Sequence, residues 1–142
     1  MNKYLSKMTL NVNGLNPPIK RHRVAEWIRK HDPHICCLQE THLSTKDLHR
    51  LKVKGWKKIF QANEQERKTG VAILVSDKID FKTKAIKKDT EGYFIILKGR
   101  IHHEDTNIIN IYALNIGALK YIKKILEDFK KVIDSNTHIR GF

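Results

Sequence analysis

Two polar side chains at the ends of apolar stretches are the residues best placed for chemistry in this sequence. Glu40 closes the segment CCLQE, in which the alternate residues of an extended strand would be buried. Asn11 lies in the earlier segment TLNVN, where apolar and polar residues alternate. A carboxylate beside buried residues is costly without a partner, and a divalent metal would be such a partner. If the two strands are neighbours, an amide oxygen and a carboxylate converge, and oxygen ligands of this kind suit Mg²⁺.

A second interpretation of Glu40 needs no metal. The carboxylate would cap the turn before Leu43 or pair with one of the many lysines. On the residues alone this interpretation has a slight advantage, because one carboxylate and one asparagine are too few to define a site. Of the eight histidines, His42 is the one placed near Glu40. The spacing shows no Ser-His-Asp arrangement, glycine-rich phosphate loop or Cys-His cluster.

Length and charge define the class of protein. The 142 residues have the length of one domain, 1–142, with 40% hydrophobic and 30% charged residues. Because 28 lysines and arginines outnumber 15 acids, the net charge of +13 favours a polyanion such as nucleic acid or an acidic membrane surface. No apolar run approaches the ~20 residues that cross a bilayer, and no secretory signal is recognised. Cys36 and Cys37 are adjacent in an apparent strand, so they should point to opposite faces as core residues in a reducing compartment.

The elements that must position these residues follow from periodicity and turn signals. Strands are predicted over residues 9–13, 35–39, 56–61, 70–75, 81–86, 93–98 and 106–112, with another extended segment from 138. One helix is predicted from Pro17 or Pro18 to Asp32 with Asn16 as its N-cap, and a capping box at 44–47 opens a short second helix. The last helix is predicted over 118–133, with one apolar stripe formed by Leu119, Ile122, Leu126, Phe129 and Ile133. The order predicts an α/β fold with mostly antiparallel strands and helices packed over sheets.

Seven ordered blocks of sequence carry a family resemblance that covers nearly the whole chain. They are TLNVNGLN, RHRVAEWI, CCLQETHL, KGWKKIFQAN, KTGVAILVSDK, EGYFIILKG and INIYALN. Together they closely resemble the endonuclease domain that opens the second open-reading-frame protein of long-interspersed-element retrotransposons. That domain belongs to the endonuclease/exonuclease/phosphatase superfamily, so the resemblance implies a four-layered α/β sandwich that nicks DNA with Mg²⁺, or with Mn²⁺ in its place.

The resemblance assigns roles to individual residues. Asn11 matches the asparagine at the catalytic centre, and Glu40 matches the glutamate that holds the metal, so both are expected to act as catalytic and metal-binding residues. Tyr112 matches the tyrosine beside the scissile phosphate. Thr41 and His42, which follow the glutamate, are expected to contact nucleic acid. The basic surface would supply phosphate contacts that do not depend on base sequence.

The sequence also departs from the family pattern. After the tyrosine that Tyr112 matches, family sequences usually have Ala-Pro-Asn, whereas here Ala113 is followed by leucine and asparagine. The family continues from its last strand into Gly-Asp-Phe-Asn and ends in Ser-Asp-His, but here Gly141 is followed by Phe142, the last residue. We therefore expect only the N-terminal part of the sandwich, without the reverse transcriptase, and an endonuclease domain that is inactive by itself.

Two other functions remain open at this stage. A non-catalytic basic fragment would bind DNA, or RNA, with strong salt dependence and without Mg²⁺. Another branch of the superfamily hydrolyses lipid phosphoesters, but the blocks match the retrotransposon branch more closely. We expect DNA as the partner, with RNA as a further candidate, no membrane partner, and an intracellular location in nucleus and cytoplasm. The sequence does not define an oligomeric state.

Overall fold

The structure is a computed structural model that describes residues 5–43, 45–62, 69–113 and 115–136. The strands are β1 (Lys7–Asn11), β2 (Ile35–Gln39), β3 (Lys58–Ala62), β4 (Val71–Val75), β5 (Phe81–Lys88), β6 (Phe94–Ile101) and β7 (Glu104–Ile111). The helices are α1 (Pro18–His31) and α2 (Ile116–Asn136), with a short 3₁₀ helix at Thr45–Arg50. The predicted order of strands and helices is confirmed, and most boundaries differ from the prediction by only a few residues.

Two sheets contain these strands. The first sheet has the order β1-β2-β4-β3, and its β1–β2 pair is parallel while its other pairs are antiparallel. The second sheet is an antiparallel meander in the order β5-β6-β7. Its β6–β7 hairpin turns at His102 and His103, which both have positive φ as a two-residue hairpin turn requires. The prediction of mostly antiparallel strands is therefore confirmed.

Three apolar clusters separate four layers. Buried residues of α1, such as Val24 and Ile28, pack with Leu38 and Leu74 on one face of the first sheet. A second cluster lies between the sheets, where Ile73 meets Ile95, Leu97 and Ile108. A third joins Phe94 and Ile96 of β6 to Ile122 of α2. The layers thus run α1, first sheet, second sheet, α2, and the predicted four-layered sandwich is confirmed.

The two cysteines show how alternation along β2 builds these layers. Cys36 belongs to the cluster under α1, whereas Cys37 belongs to the cluster between the sheets. Both are buried free thiols, and burial raises the pKa of Cys36 to about 12 and that of Cys37 to about 11. Protonated thiols in apolar surroundings are unreactive, so the interpretation of both as core residues is confirmed.

The start of α1 differs from the prediction. Pro17 occupies the N-cap position with an extended backbone and no side-chain cap, and Asn16 lies before it. The Asn16 Nδ2 instead donates to the carbonyl of His42 at 3.3 Å. Asn16 as N-cap is therefore wrong, because Pro18 at the first helical position makes the preceding proline the boundary residue.

The apolar face of α2 is also rotated from the predicted stripe. Leu119 is 52% exposed, whereas Ala118 and Ile122 are buried and Ile125 and Leu126 pack partly against the second sheet. The prediction that Leu119 faces the core is wrong, since the docking face follows 118, 122, 125 and 126. The side chains of Phe129 and Ile133, Ser44 of the capping box and the extended segment from 138 lie outside the described residues. Among the described helices, none is long and apolar enough to cross a membrane.

Candidate active site

The sheet topology brings the ends of three strands together. Asn11 is the last residue of β1, and Glu40 follows directly after β2. These two parallel strands are paired with Asn11 opposite Gln39, so Asn11 and Glu40 emerge at the same edge. Tyr112 follows directly after β7 of the second sheet. The structure thus places the three residues predicted to be catalytic at one edge, with the two sheets contributing from opposite sides.

Hydrogen bonds join the three side chains into one cluster. The Tyr112 hydroxyl donates to Glu40 Oε2 at 2.7 Å, and the Asn11 Nδ2 donates to the same oxygen. The Asn11 Oδ1 accepts the backbone N–H of Asn13 at 3.0 Å. The other carboxylate oxygen, Oε1, lies 3.9 Å from His42 Nε2. Neither a turn cap nor a lysine pair describes these contacts of Glu40, because its partners are the last residue of β1, the residue after β7 and a histidine of the following loop.

These contacts shift the pKa of Glu40 and of Tyr112 in opposite directions. The hydrogen bond from Asn11, then that from Tyr112, lowers the pKa of Glu40 because both donors favour the charged carboxylate. The bond to Glu40, with burial, raises the pKa of Tyr112 because the phenol must stay protonated to donate. At neutral pH the cluster is therefore an ionised carboxylate held by two neutral donors.

A pair of amides that the sequence analysis missed fixes the two sheets behind this cluster. Asn110, which is 2% exposed, donates through Nδ2 to the carbonyls of Leu38 at 3.0 Å and Ala72 at 2.8 Å. Gln39 Nε2 in turn donates to the Ile111 carbonyl at 2.8 Å and to Asn110 Oδ1 at 3.3 Å. This amide bridge joins residues that directly precede Glu40 to residues that directly precede Tyr112. It therefore sets the separation of the two site residues across the sandwich.

One signal in the sequence points to this bridge. In the run Ile108, Ile109, Asn110 and Ile111, the asparagine is two residues from Ile108 and so shares its face. A polar side chain on a core-facing position of a strand must find partners inside the protein. That signal identifies Asn110 as a buried polar residue but not the strands to which it bonds.

The backbone around Glu40 adopts a conformation that ordinary residues rarely take. Asn13, Glu40 and His42 have φ of 48°, 57° and 53°, in the left-handed region. Backbone bonds hold this loop from both sides: Gly14 N–H donates to the Glu40 carbonyl at 2.6 Å, and His42 N–H donates to that of Thr69 at 2.9 Å. Strained residues of this kind concentrate at functional sites. The clamped loop thus gives Glu40 a fixed direction that a continued strand would not give.

The two residues expected to contact nucleic acid have different surroundings. Thr41 is 0% exposed, so its side chain does not reach the surface, and the expectation that it contacts nucleic acid does not agree with this burial. Its position between two left-handed residues turns it into the core. The His42 side chain is 33% exposed and lies beside Glu40, so its contact with nucleic acid remains a prediction.

A groove beside the cluster is open to solvent and basic on one side. It has a volume of about 450 Å³ between β1 and α1, and its lining includes Asn11, Lys20 and Arg23. The Lys20 ammonium donates to the Asn13 carbonyl at 2.6 Å, which keeps its charge next to Asn11. A phosphate backbone entering this groove would meet two cations within reach of the Glu40 cluster.

The oxygen-rich donor set fits a hard divalent cation in part. Glu40 offers one carboxylate whose Oε1 is less engaged than Oε2, while the amide oxygen of Asn11 is turned toward Asn13. Mg²⁺ commonly binds one or two carboxylates and completes its shell with waters and phosphate. Among the described residues, no group of three or more His, Cys, Asp or Glu side chains is arranged to hold a metal. Glu40 therefore fits as one protein ligand of such an ion.

Several solved structures share this architecture at low sequence identity. TDP2 from Caenorhabditis elegans superposes with a TM-score of 0.64 at 20% identity, over 93% of this chain and 57% of that one. TDP2 from D. rerio, in complex with a single-strand DNA product, gives 0.66 at 15% identity, again over 93% and 57%. An AP endonuclease from Archaeoglobus fulgidus gives 0.57 at 24% identity, over 94% and 54%. The chain thus spans little more than half the length of these proteins, and at these identities the likeness concerns the fold.

A comparison with sequence-family models identifies the superfamily. The model of the Endonuclease/Exonuclease/phosphatase family matches residues 8–125, which include Asn11, Glu40 and Tyr112. Members of this family are phosphodiesterase and nuclease hydrolases. The superfamily inferred from the ordered sequence blocks is confirmed. This chain belongs to the Endonuclease/Exonuclease/phosphatase family.

Proposed function

We propose that this chain is the metal-binding part of a DNA endonuclease domain of a non-LTR retrotransposon protein. Its reaction would be Mg²⁺-dependent hydrolysis of a phosphodiester, with Mn²⁺ as an alternative ion. The observation that carries the proposal is the Glu40 carboxylate, fixed by Asn11 from one sheet and by Tyr112 from the other. A glutamate with only a structural role would not need hydrogen-bond donors from both sheets at an edge that faces solvent.

Each residue of the cluster has a definite part in this proposal. Glu40 stays ionised at neutral pH and would hold the ion, which when bound would stabilise negative charge developing on the phosphate oxygens. Asn11 and Tyr112 orient the carboxylate by occupying Oε2, so Oε1 is directed away from both donors. Lys20 and Arg23 line the adjoining groove and would attract the DNA backbone. These residues position the phosphate and the ion, and none of them is placed as a general base.

The retrotransposon assignment rests on the seven ordered sequence blocks, because the structural neighbours are too distant to distinguish branches of the family. It predicts that the genomic sequence adjoining the segment that encodes this chain encodes a reverse transcriptase, in the same frame or after an interruption. Sequencing the locus tests this prediction. A frame that joins the domain to a lipid phosphatase module instead would contradict it. Residence in the nucleus and cytoplasm belongs to the same proposal.

Metal binding can be tested without any catalytic activity. We expect Mn²⁺ to broaden the amide NMR signals of Glu40, His42 and Tyr112 selectively, and E40Q to remove this broadening because the ion loses its carboxylate. D105N is the matched control, since Asp105 is an exposed acid in β7 that pairs with Arg100 and Lys84. Selective broadening that persists in E40Q, or that vanishes equally in D105N, contradicts the site.

Nicking of supercoiled plasmid tests the catalytic part of the proposal. Among the described residues, the cluster contains one carboxylate, Glu40, and no group of three His, Cys, Asp or Glu side chains could hold a metal. We therefore expect the 142-residue chain to nick DNA far more slowly than a complete domain of the family. Nicking at a comparable rate that E40Q abolishes would support the site but contradict this expectation. Nicking that E40Q leaves unchanged would come from a contaminant or another site, and would contradict the role of Glu40.

A further inference from the structure

Two adjoining grooves lie at the end of the first sheet opposite Glu40, where β2 begins. Their volumes are about 640 and 690 Å³, and both linings include Arg29, Lys54 and Trp56. Glu40, after β2, lies six positions along the chain from His34, before it, which at ~3.3 Å per position places the two ends about 20 Å apart. The grooves are thus separate from the Glu40 cluster.

Six exposed cations line these grooves, and one of them, Lys78, is paired with Asp32. We call the other five the basic trough: Arg29, Lys30, Lys52, Lys54 and Lys57. Within the described part of the chain, none of the five forms an ion pair. The two acids in the linings are already engaged, since Asp32 pairs with Lys78 at 2.5 Å and Asp77 Oδ1 accepts the backbone N–H of Lys57 at 3.0 Å. The trough therefore concentrates positive charge that its own acids do not neutralise.

Helix electrostatics account for only part of this charge. Arg29 and Lys30 lie in the last turn of α1, where a cation complements the negative end of the helix dipole. Lys52, Lys54 and Lys57 lie between the 3₁₀ helix and β3, so no helix end explains them. A cluster of like charges is unfavourable unless an anion compensates it.

The lysines of β5 provide a contrast within the same chain. Lys82 lies 3.9 Å from Asp80, and Lys84 lies 3.5 Å from Asp105. They also lie on an edge strand of the second sheet, where lysines prevent pairing with another chain. Lys82 and Lys84 thus have partners, and all the β5 lysines have a structural reason, whereas Lys52, Lys54 and Lys57 have neither among the described residues.

The lining indicates which anion fits. Trp56, the large aromatic side chain of both grooves, is 4% exposed, and its indole N–H donates to the Pro33 carbonyl at 3.0 Å. It therefore presents no ring on which an unpaired base could stack, as single-strand binding requires. What remains is a concave row of cations, which suits the phosphates of a duplex without reading its bases.

We propose that the basic trough binds the phosphate backbone of a duplex DNA segment other than the segment held at Glu40. The choice of DNA as the polyanion rests on the proposed function, while the position of the surface rests on the charges and grooves. A chain with this trough would hold two duplex segments, one at each end of the first sheet.

Two variants with equal net charge test this proposal. K52Q/K54Q/K57Q removes three trough lysines, and K82Q/K84Q/K87Q removes three lysines of β5, so each lowers the net charge from +13 to +10. Binding of a fluorescent duplex is measured by anisotropy over a range of NaCl concentrations. We expect the trough variant to reduce the slope of log affinity against log salt by about 2–3, following ~0.9 per phosphate contact. Affinity at low salt should fall at least tenfold, and the β5 variant should lose less than half as much.

Several outcomes would overturn the proposal. Equal losses in the two variants would show that net charge alone determines binding, and no loss in the trough variant would show that the trough is not used. A loss of binding to anionic-lipid vesicles without a loss for the duplex would assign the surface to a membrane. E40Q separates this proposal from the proposed function: failure of Mn²⁺ broadening contradicts the Glu40 site, while a selective loss in the trough variant still supports the trough.

Discussion

The two ends of the first sheet handle charge in opposite ways. At the end where β1 and β2 finish, a single carboxylate is 19% exposed and held by donors from both sheets. At the end where β2 begins, five cations are exposed around two grooves without an ion pair among the described residues. The first arrangement fixes one charge in one direction, which suits a reaction. The second distributes positive charge over a surface, which suits a ligand with regularly spaced negative charges, such as a phosphate backbone.

This difference should be measurable as the change in stability that single substitutions cause at each end. The Glu40 cluster depends on buried bonds that cross between the sheets, so single substitutions there should be costly. The trough depends on the sum of exposed charges, so single substitutions there should change stability little.

The amide bridge should carry the largest effect. Asn110→Ala removes the side-chain donor of the buried Leu38 and Ala72 carbonyls, and unsatisfied buried groups cost ~1–3 kcal/mol each. The Gln39 amide loses one of its two acceptors and keeps the Ile111 carbonyl. We expect the free energy of unfolding in urea to fall by about 3–4 kcal/mol. Asn107→Ala, in the same strand but only half-buried, is the control and should cost clearly less.

A readout at the site distinguishes positioning from stability alone. If the bridge sets the distance from Tyr112 to Glu40, Asn110→Ala also raises the pKa of Glu40 toward its ordinary value, measured by carboxyl NMR titration. The pKa of Asp105, lowered by Arg100 and Lys84 on the far hairpin, should not change. A Glu40 pKa that stays as low as in the unmodified chain would show that the bridge stabilises the sandwich without positioning the site.

Two glycines with positive φ offer a matched comparison of the two ends. Gly92, at φ +81°, packs against Gly70, whose carbonyl accepts the N–H of Thr41 next to Glu40, and a Cβ on Gly92 would approach Gly70 N to 2.8 Å. Gly55, at φ +101°, lines the trough, and a Cβ there would meet nothing within 4 Å. G55A should cost about 1–2 kcal/mol from backbone strain alone, and G92A should cost more because the backbone of Gly70 must also move. Urea unfolding of both variants measures the difference, and equal costs would contradict the closer packing of the Glu40 end.

Local pattern predicted much of the fold from the sequence. Alternation along β2 placed Cys36 and Cys37 in different core clusters, as the structure confirms. The pairing of β1 with β2 was stated only as a condition, yet it was enough to bring Asn11 and Glu40 together. Where the prediction failed, tertiary contacts decided the outcome: Leu119 fits the helical period, but the second sheet meets a different face of α2.

The geometry of the site could not be predicted from local sequence pattern, because it also depends on contacts between residues that are distant in sequence. The left-handed backbone of Glu40 exists because Gly14 and Thr69, distant in sequence, bond the loop on both sides. The bond from Tyr112 spans 72 positions along the chain. Residue types and family motifs identified the participants, but only the packed sandwich determined which atom of each residue faces the others.

Removing one donor from Glu40 should give a smaller effect that depends on pH. Tyr112→Phe deletes the hydroxyl that donates to Glu40 Oε2, which costs about 1 kcal/mol at neutral pH. Because folding lowers the pKa of Glu40, its contribution is complete above the ordinary value of about 4.3 and is lost as pH falls through the folded pKa. The raised pKa of Tyr112 acts in the opposite sense, so that contribution is lost as pH rises through its folded pKa.

The difference in unfolding free energy between Tyr112→Phe and the unmodified chain should therefore be largest near neutral pH and shrink toward pH 3. Urea unfolding at several pH values measures it. Tyr121→Phe is the control, because its hydroxyl donates to Asp89 at 3.0 Å and not to the cluster. A difference that stays constant as Glu40 becomes protonated would show that the hydroxyl contributes through packing and not through the charged carboxylate.

The smallest effect on stability is expected at the trough. K52Q/K54Q/K57Q removes no described hydrogen bond of a side chain and no described ion pair, so the free energy of unfolding should change by less than about 0.5 kcal/mol. At low salt the change should be a slight gain, since like charges are removed from one surface, and 0.5 M NaCl should screen that gain. A loss above 1 kcal/mol would mean that these lysines hold the fold together. In that case reduced DNA binding by the variant would have a structural cause, and the contrast between a fixed charge at one end and a distributed charge at the other would fail.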